Sequence, residues 1–365
     1  MRVGIDAHMA GGQETGNETY IKGLIDGFKA RRDDLDVVVY NVGTPWTEPY
    51  RHLRFQRLLT SSPYVRLGIE LPIRSLGQRL DILHMTYAAP VWSAAPIVLA
   101  VHDICYTTNP EWFSRRDLRV LTANVPRSIR KAAHIITDSQ SARSQIIEHY
   151  RVPEAKITAI PMGPGRAAEP IPPEAARVEL SALDLNLARP FLLAVGNLQP
   201  RKNLVRLVDA FTRLVHDRGH DIDLVIVGPE HYRAQDAFQA ARPIAERVRF
   251  TGYITDRQLA AFYRCSTAFV FPSLYEGFGL PALEAMSHGT PIACSAAGAL
   301  PEVCGEAALL FDPHSVDSIV DAVDRILRDS ALRQRLVAAG MVRAGDFTWE
   351  KSAELTLEVY EKARA

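Results

Sequence analysis

Short aliphatic and β-branched runs return along the whole chain, separated by stretches whose apolar residues repeat at helical spacing. This alternation limits the fold more than any other feature. The runs are Val3 to Ala7, Val37 to Tyr40, Ile97 to Val101, Ile135 to Thr137, Phe191 to Val195, Leu224 to Val227 and Ala268 to Phe271. Runs of that length, each followed by a helical stretch, build βα units and parallel sheets. After Val195, the positions Leu204, Leu207, Val208, Phe211, Leu214 and Val215 mark one buried helical face. Thr255 and Gln258 match a capping box and predict a helix start before Leu259, Phe262 and Tyr263. The 365 residues exceed one ordinary domain. Gly163-Pro164-Gly165 and Pro170-Ile171-Pro172-Pro173 form a stretch too rich in proline for a sheet or helix interior. We therefore expect an α/β protein with two Rossmann-like domains, over residues 1–168 and 169–346, and a cleft between them.

Composition narrows the partners. The 42 basic and 42 acidic residues cancel, which gives no general attraction to nucleic acid. Cys105, Cys265, Cys294 and Cys304 form no CxxC pair and have no histidine at zinc-ligand spacing, so neither a structural metal nor a disulfide framework is expected. The start of the chain has no signal-peptide core and no apolar run approaches a membrane span of about 20 residues, so a cytoplasmic protein is expected. One segment is locally basic: Arg51, Arg54, Arg57, Arg66, Arg74 and Arg79, with Glu70 as the only acid and Phe55, Leu58 and Leu59 interleaved. It reads either as a solvated helix face or as a surface for anionic lipid head groups or a lipid diphosphate acceptor. The second reading would place the protein on the inner face of a membrane.

Three segments carry candidate chemistry. Phe269 to Glu284 runs from a buried strand through a glycine-containing loop into a helix that Pro281 begins and Gly289 with Pro291 ends. The free N–H groups at such a helix start suit an anion, and Glu276 and Glu284 flank it with hydroxyl-binding carboxylates. The plain alternatives are that Glu284 complements the helix dipole and that Glu276 is solvated. Val195 to Asn203 places Arg201 and Lys202 where a helix dipole disfavours them, which a bound phosphate would explain and a solvated turn would also permit. Gly11 to Gly16 follows the first strand and precedes Asn17, which reads as a helix N-cap. His102 and Asp103 end the strand Ile97 to Val101.

Together these residues resemble retaining glycosyltransferases of the GT-B fold, family 4. Glu276 and Glu284 with seven residues between them, and the Gly196 to Asn203 segment, look like its donor-site signature. Val101-His102-Asp103, Pro110 to Phe113, Ile136 to Ser139, Pro161 to Gly163, Phe250 to Gly252 and Gly298 to Glu302 resemble further landmarks. The resemblance implies that Arg201 and Lys202 hold the donor diphosphate, Glu284 the ribose and Glu276 the transferred sugar. The amides of Phe278, Gly279 and Leu280, with Gly277 beside them, approach sugar and phosphates. Gly12, Gly196 and Asn197 lie near the diphosphate, and Gly228, Tyr253 and Ile254 near the base. His102 would stabilise the sugar in the transition state, while Gly16 and Asp103 lie on the acceptor side; Asp103 would equally serve as a turn cap. Residues 347–365 would return as a helix onto the first domain. The segment around His102 is closest to polysaccharide and lipopolysaccharide mannosyltransferases, which suggests GDP-mannose as substrate, a UDP-sugar second, and neither cofactor nor metal. A nucleotide-sugar epimerase, a phosphorylase and a non-catalytic nucleotide-sugar sensor are the competing readings.

Overall fold

The computed structural model describes residues 1–10, 16–31, 35–42, 46, 50, 53–165, 167, 169–183, 185 and 187–364; Gly12 and Arg51 lie outside the described residues. The chain forms two compact units, Met1–Gly163 with Phe347–Ala365, and Pro164–Asp346.

In the first unit the strands are β1 (Arg2–Asp6), β2 (Asp36–Val42), β3 (Arg54–Leu58), β4 (Ile82–Thr86), β5 (Ile97–Ala100), β6 (His134–Thr137) and β7 (Ile157–Ala159). They form one parallel sheet in the order β3-β2-β1-β4-β5-β6-β7. The second unit contains β8 (Phe191–Val195), β9 (Asp223–Val227), β10 (Val248–Gly252), β11 (Ala268–Phe271), β12 (Ile292–Ser295) and β13 (Ala308–Phe311). Its parallel order is β10-β9-β8-β11-β12-β13. Both sheets start in the middle and wind outward in two directions. The order therefore reverses beside β1 and β4 in one unit, and beside β8 and β11 in the other. At such a reversal the following loops part, and the carboxyl ends of the strands open onto a crevice.

The helix Trp349–Arg364 belongs to the first unit and packs on the helix Gly16–Arg31. Gly23 and Gly27, one turn apart, make that approach possible. A Cβ on Gly23 would lie 2.0 Å from the Trp349 ring, and one on Gly27 would lie 2.2 Å from the Trp349 carbonyl oxygen. Tyr360 of the same helix bonds His84 Nδ1 at 2.8 Å, while the hydroxyl of Tyr20 meets Nε2 at 3.2 Å. Burial, with His102 nearby, lowers the His84 pKa to about 3 against the pull of Asp6, so this histidine is neutral.

Several local expectations change. Asn17 lies inside the first turn of the Gly16–Arg31 helix instead of capping it, and its amide reaches Met9 Sδ at 3.4 Å. The basic stretch is not one helix face. Arg54 and Arg57 sit on β3, because the edge of β2 offers hydrogen bonds that this run takes up, and charged residues on the new edge discourage further pairing. Helical turns follow over 63–76, in which Arg66 is buried and Arg74 pairs with Glu70 at 3.0 Å. The capping box at Thr255 and Gln258 forms with both of its hydrogen bonds.

Candidate active site

At the reversal point of the second sheet, the residues that leave β8 meet those that leave β11. After Gly196 and Asn197 the chain makes a tight turn over Pro200–Lys202, and Asn203 takes a left-handed conformation (φ 55°) before the helix Leu204–His216. The Asn203 amide donates to the carbonyls of Pro272 at 3.0 Å and Pro313 at 2.8 Å, which fastens the turn to two neighbouring loops. Leu274 N–H donates to the Arg201 carbonyl at 2.8 Å. The two cations are thereby aimed across the strand gap instead of along their own helix.

Their partner is Glu276. Arg201 Nη1 donates to Oε2 at 2.7 Å and to the Tyr275 carbonyl at 2.8 Å, and Lys202 Nζ donates to Oε1 at 2.7 Å. Lys202 also stands over the Phe271 ring, 5.0 Å from its centre. Burial alone would raise the Glu276 pKa, but Arg201 and Lys202 overcome it and hold the carboxyl at about 2. The cluster thus carries two positive charges against one negative. An anionic group arriving here meets a net cation with its geometry already fixed.

The loop continues through the buried Gly277, Phe278 and Gly279 (φ 114°) into the helix Leu280–Ser287, with Pro281 in its first turn. Its first N–H groups are aimed toward the same end of the sheet. Gly298 (φ 58°) supports the loop from behind, for a Cβ there would lie 2.4 Å from the Glu276 carbonyl oxygen. Ala299 N–H donates to that same oxygen at 2.9 Å.

Glu284, one turn into that helix, has a different setting. Tyr263 donates its hydroxyl hydrogen to Oε2 at 2.9 Å, and Gly165 lies so close to Oε1 that a Cβ on it would be 1.9 Å away. Burial raises the Glu284 pKa to about 8 despite the Tyr263 bond. The Tyr263 ring is parallel to that of His288, whose Nε2 is 2.5 Å from the Ala167 carbonyl. Of the remaining donor candidates, Gly228 follows β9 and bonds Gly252 through its N–H at 3.1 Å, while Gly196 N–H bonds Val227. Tyr253 is exposed and Ile254 partly buried in the turn after β10.

In the first unit, β5 delivers His102 and β6 delivers Asp138 to the same edge. His102 Nδ1 and Asp138 Oδ2 are 2.7 Å apart. The edges of Tyr20 and Tyr87 flank the imidazole, at 4.7 and 5.5 Å between ring centres. Burial would lower the His102 pKa, yet Asp138 first and Asp103 second raise it above the ordinary value. Nε2 is buried with no hydrogen-bond partner among the described residues, so the ring has one fixed nitrogen and one to offer. Tyr87 holds an uncommon left-handed backbone (φ 58°) at this edge. Asp103 accepts from Cys105 N–H at 3.1 Å and so caps its turn, and Gly16 is the first residue of its helix.

Sequence reasoning missed the pair at the end of β1. Asp6 and Arg66 form a buried ion pair, with His8 Nε2 3.1 Å from Arg66 Nη2. Burial would raise the Asp6 pKa, but His8 and Arg66 together hold it far below the carboxylate range. Asp6 at the last position of a strand was the available signal. Asp138 and Gly298 stood in segments already singled out, without a role.

Residues 15–163 match the family model described as Glycosyltransferase Family 4, and residues 179–343 match that of Glycosyl transferases group 1. The O-antigen chain mannosyltransferase B of Escherichia coli is 32% identical over 266 residues, which cover 72% of this chain and 70% of that protein. The serotype-specific mannosyltransferase WbdA of Escherichia coli is 30% identical over 273 residues, 73% of this chain but 33% of its own length. Sucrose-phosphate synthase from Thermosynechococcus elongatus has the same fold, with a TM-score of 0.78, 22% identity, and coverage of 99% of this chain and 98% of its own. With both halves matched in order and both sheets in place, the chain belongs to the group 1, family 4 glycosyltransferases and is a glycosyltransferase of GT-B architecture.

Proposed function

We propose that the protein transfers mannose from GDP-mannose to a glycan or lipid-linked acceptor, with retention of anomeric configuration and without a metal. The observation that carries this reading is the Arg201–Glu276–Lys202 cluster beside the start of the Leu280–Ser287 helix. A diphosphate placed there replaces the charge that a metal would supply with two fixed cations and backbone N–H groups. Glu284 binds ribose hydroxyls, and Glu276 reaches the sugar once phosphate shares its cations. His102 offers Nε2 to the sugar. The two Escherichia coli relatives named as mannosyltransferases support the choice of sugar; a UDP-sugar is the second donor.

In the front-face reaction that we propose, the bond between the anomeric carbon and the phosphate oxygen breaks. The acceptor oxygen bonds to that carbon on the same face, and the acceptor proton passes to the departing phosphate. Arg201 and Lys202 stabilise the charge left on that phosphate. The test is a thermal-shift series with GDP, UDP and ADP followed by their sugars, because a ligand of the native state raises the midpoint by mass action. GDP and GDP-mannose are expected to give the largest rise, and NMR of the product should show retained configuration. A larger rise with UDP would reassign the base, and an inverted product would refute the mechanism. Donor incubated alone should hydrolyse slowly; an epimer would mark an epimerase, and binding with no transfer to any acceptor would mark a sensor.

A further inference from the structure

The helical segment 63–76 is apolar on its outer side as well as its inner one. Arg66, Leu67, Leu71 and Ser75 face the protein, whereas Tyr64 (79% exposed), Ile69 (59%) and Ile73 (61%) face outward together with Val65 and Leu76. The outward positions 65, 69, 73 and 76 recur every three to four residues and form one apolar stripe. Val91 and Trp92 extend it, since Val91 N–H donates to the Leu67 carbonyl at 2.9 Å and both residues are exposed. Contiguous exposed apolar surface of this kind marks a place where something docks.

A second element says what kind of partner. The helix Arg115–Lys131 buries Val125, Ser128 and Ile129 and turns Arg116, Arg119, Arg127 and Arg130 outward on one stripe. None of these four arginines is ion-paired among the described residues. The two helices meet at a shallow depression where Tyr64 and Gly68 face Asn124, Arg127 and Lys131. Lys131 Nζ donates to the Pro90 carbonyl at 3.0 Å and also to that of Val91, which ties the basic helix to the apolar loop.

We propose that this face of the first unit docks on an anionic lipid surface. Tyr64, Ile69, Ile73 and Trp92 enter the boundary between head groups and acyl chains, and the arginine stripe lies along the phosphates. A second copy of the chain fits less well, because a self-complementary contact through the apolar stripe would bring two arginine stripes side by side. The proposal is independent of donor and sugar, so it stands or falls separately from the proposed function. It also differs from a docking role for the Arg51–Arg79 arginines: the apolar residues of that segment supply the insertion, and another helix supplies the charge.

The experiment is co-sedimentation of the full chain with vesicles of phosphatidylcholine mixed with phosphatidylglycerol, and with vesicles of phosphatidylcholine alone. Binding is expected only to the mixed vesicles, and it should weaken as salt rises. The double variant Ile69→Glu with Ile73→Glu should lower the bound fraction by about tenfold or more while circular dichroism stays unchanged. The triple variant Arg116→Gln, Arg119→Gln and Arg127→Gln should weaken binding and flatten its salt dependence. Absence of binding to the mixed vesicles overturns the proposal, as does equal binding by wild type and both variants. Self-association that the Ile69→Glu, Ile73→Glu variant abolishes, with no vesicle binding, would assign the face to a second copy instead.

Discussion

Glu276 and Glu284 share one loop and the helix it opens, and they are equally buried at 7% and 8% exposure, yet the pKa of one is held down to about 2 and that of the other is raised to about 8. Burial pushes both upward. What separates them is the partner set: the loop side offers a guanidinium and an ammonium, the helix side a phenol, with Asp256 adding to the upward push. The first is an anion held between cations, whereas burial biases the second toward its protonated form while Tyr263 donates to it. Two positions of one motif, identical in letter, thus perform opposite electrostatic tasks. Exposure alone would not have told them apart.

The comparison breaks most visibly if the cations are removed. Lys202→Met or Arg201→Met should lower kcat/KM by about 10³, the scale for loss of a fixed donor to a developing anion, and should let the Glu276 pKa climb. Steady-state kinetics and carboxyl NMR check both parts, and unchanged turnover would detach the cluster from the chemistry. Glu276→Gln leaves two cations without their counter-ion and should cost about 10² in turnover. It also removes an acid-sensitive contribution to stability. Because the folded pKa lies below the ordinary 4.5, that contribution is complete above 4.5 and is lost as pH falls towards 2. Unfolding curves across that window should differ between wild type and variant.

Glu284→Gln sharpens the other side. Its folded pKa lies above the ordinary 4.5, so the stability linked to its proton is complete below 4.5 and drains away as pH rises through about 8. The Gln variant should not show that loss, and near pH 8 it should gain on wild type by about 1 to 3 kcal/mol. Its affinity for the donor nucleotide should fall by about tenfold, as expected for one hydrogen bond to ribose. Isothermal titration and thermal unfolding read the two effects separately. The smallest change belongs to Tyr263→Phe, which deletes one donor to Glu284 and should destabilise by about 1 kcal/mol while raising the Glu284 titration further. A carboxyl signal for Glu284 that is already ionised at pH 7 in wild type would dissolve the comparison.

Much of this was legible from residue order. The strand into Phe271, the helix opened by Pro281, the capping box at Thr255 and the cations after Gly196 each depend on neighbours within a few residues. The rest depends on chain that is distant in sequence. Nothing near Gly165 says that it lies against Glu284, and nothing near Gly298 says that it backs Glu276; each is known only when two loops meet. The short run at β12, Ile292-Ala293-Cys294-Ser295, is too brief to stand out, and β4 carries His84 inside an otherwise apolar strand. The 63–76 segment misled because its arginines drew attention away from its hydrophobic residues. A buried Arg66 and an exposed Ile69 reverse the usual pattern, and it is the distant Asp6 that holds Arg66 inside.

The ring of Trp349 rests on Gly23, and Ser352 Oγ donates to the Pro161 carbonyl across 191 residues of chain. During synthesis, therefore, the unit that begins first is the one completed last. Residues 1–163 must wait, with the Gly23 and Gly27 face bare, while the whole of Pro164–Asp346 emerges and can fold on its own contacts. A chain that ended before Trp349 would hold every residue of Pro164–Asp346, while the first unit still lacked the helix that covers Gly23 and Gly27.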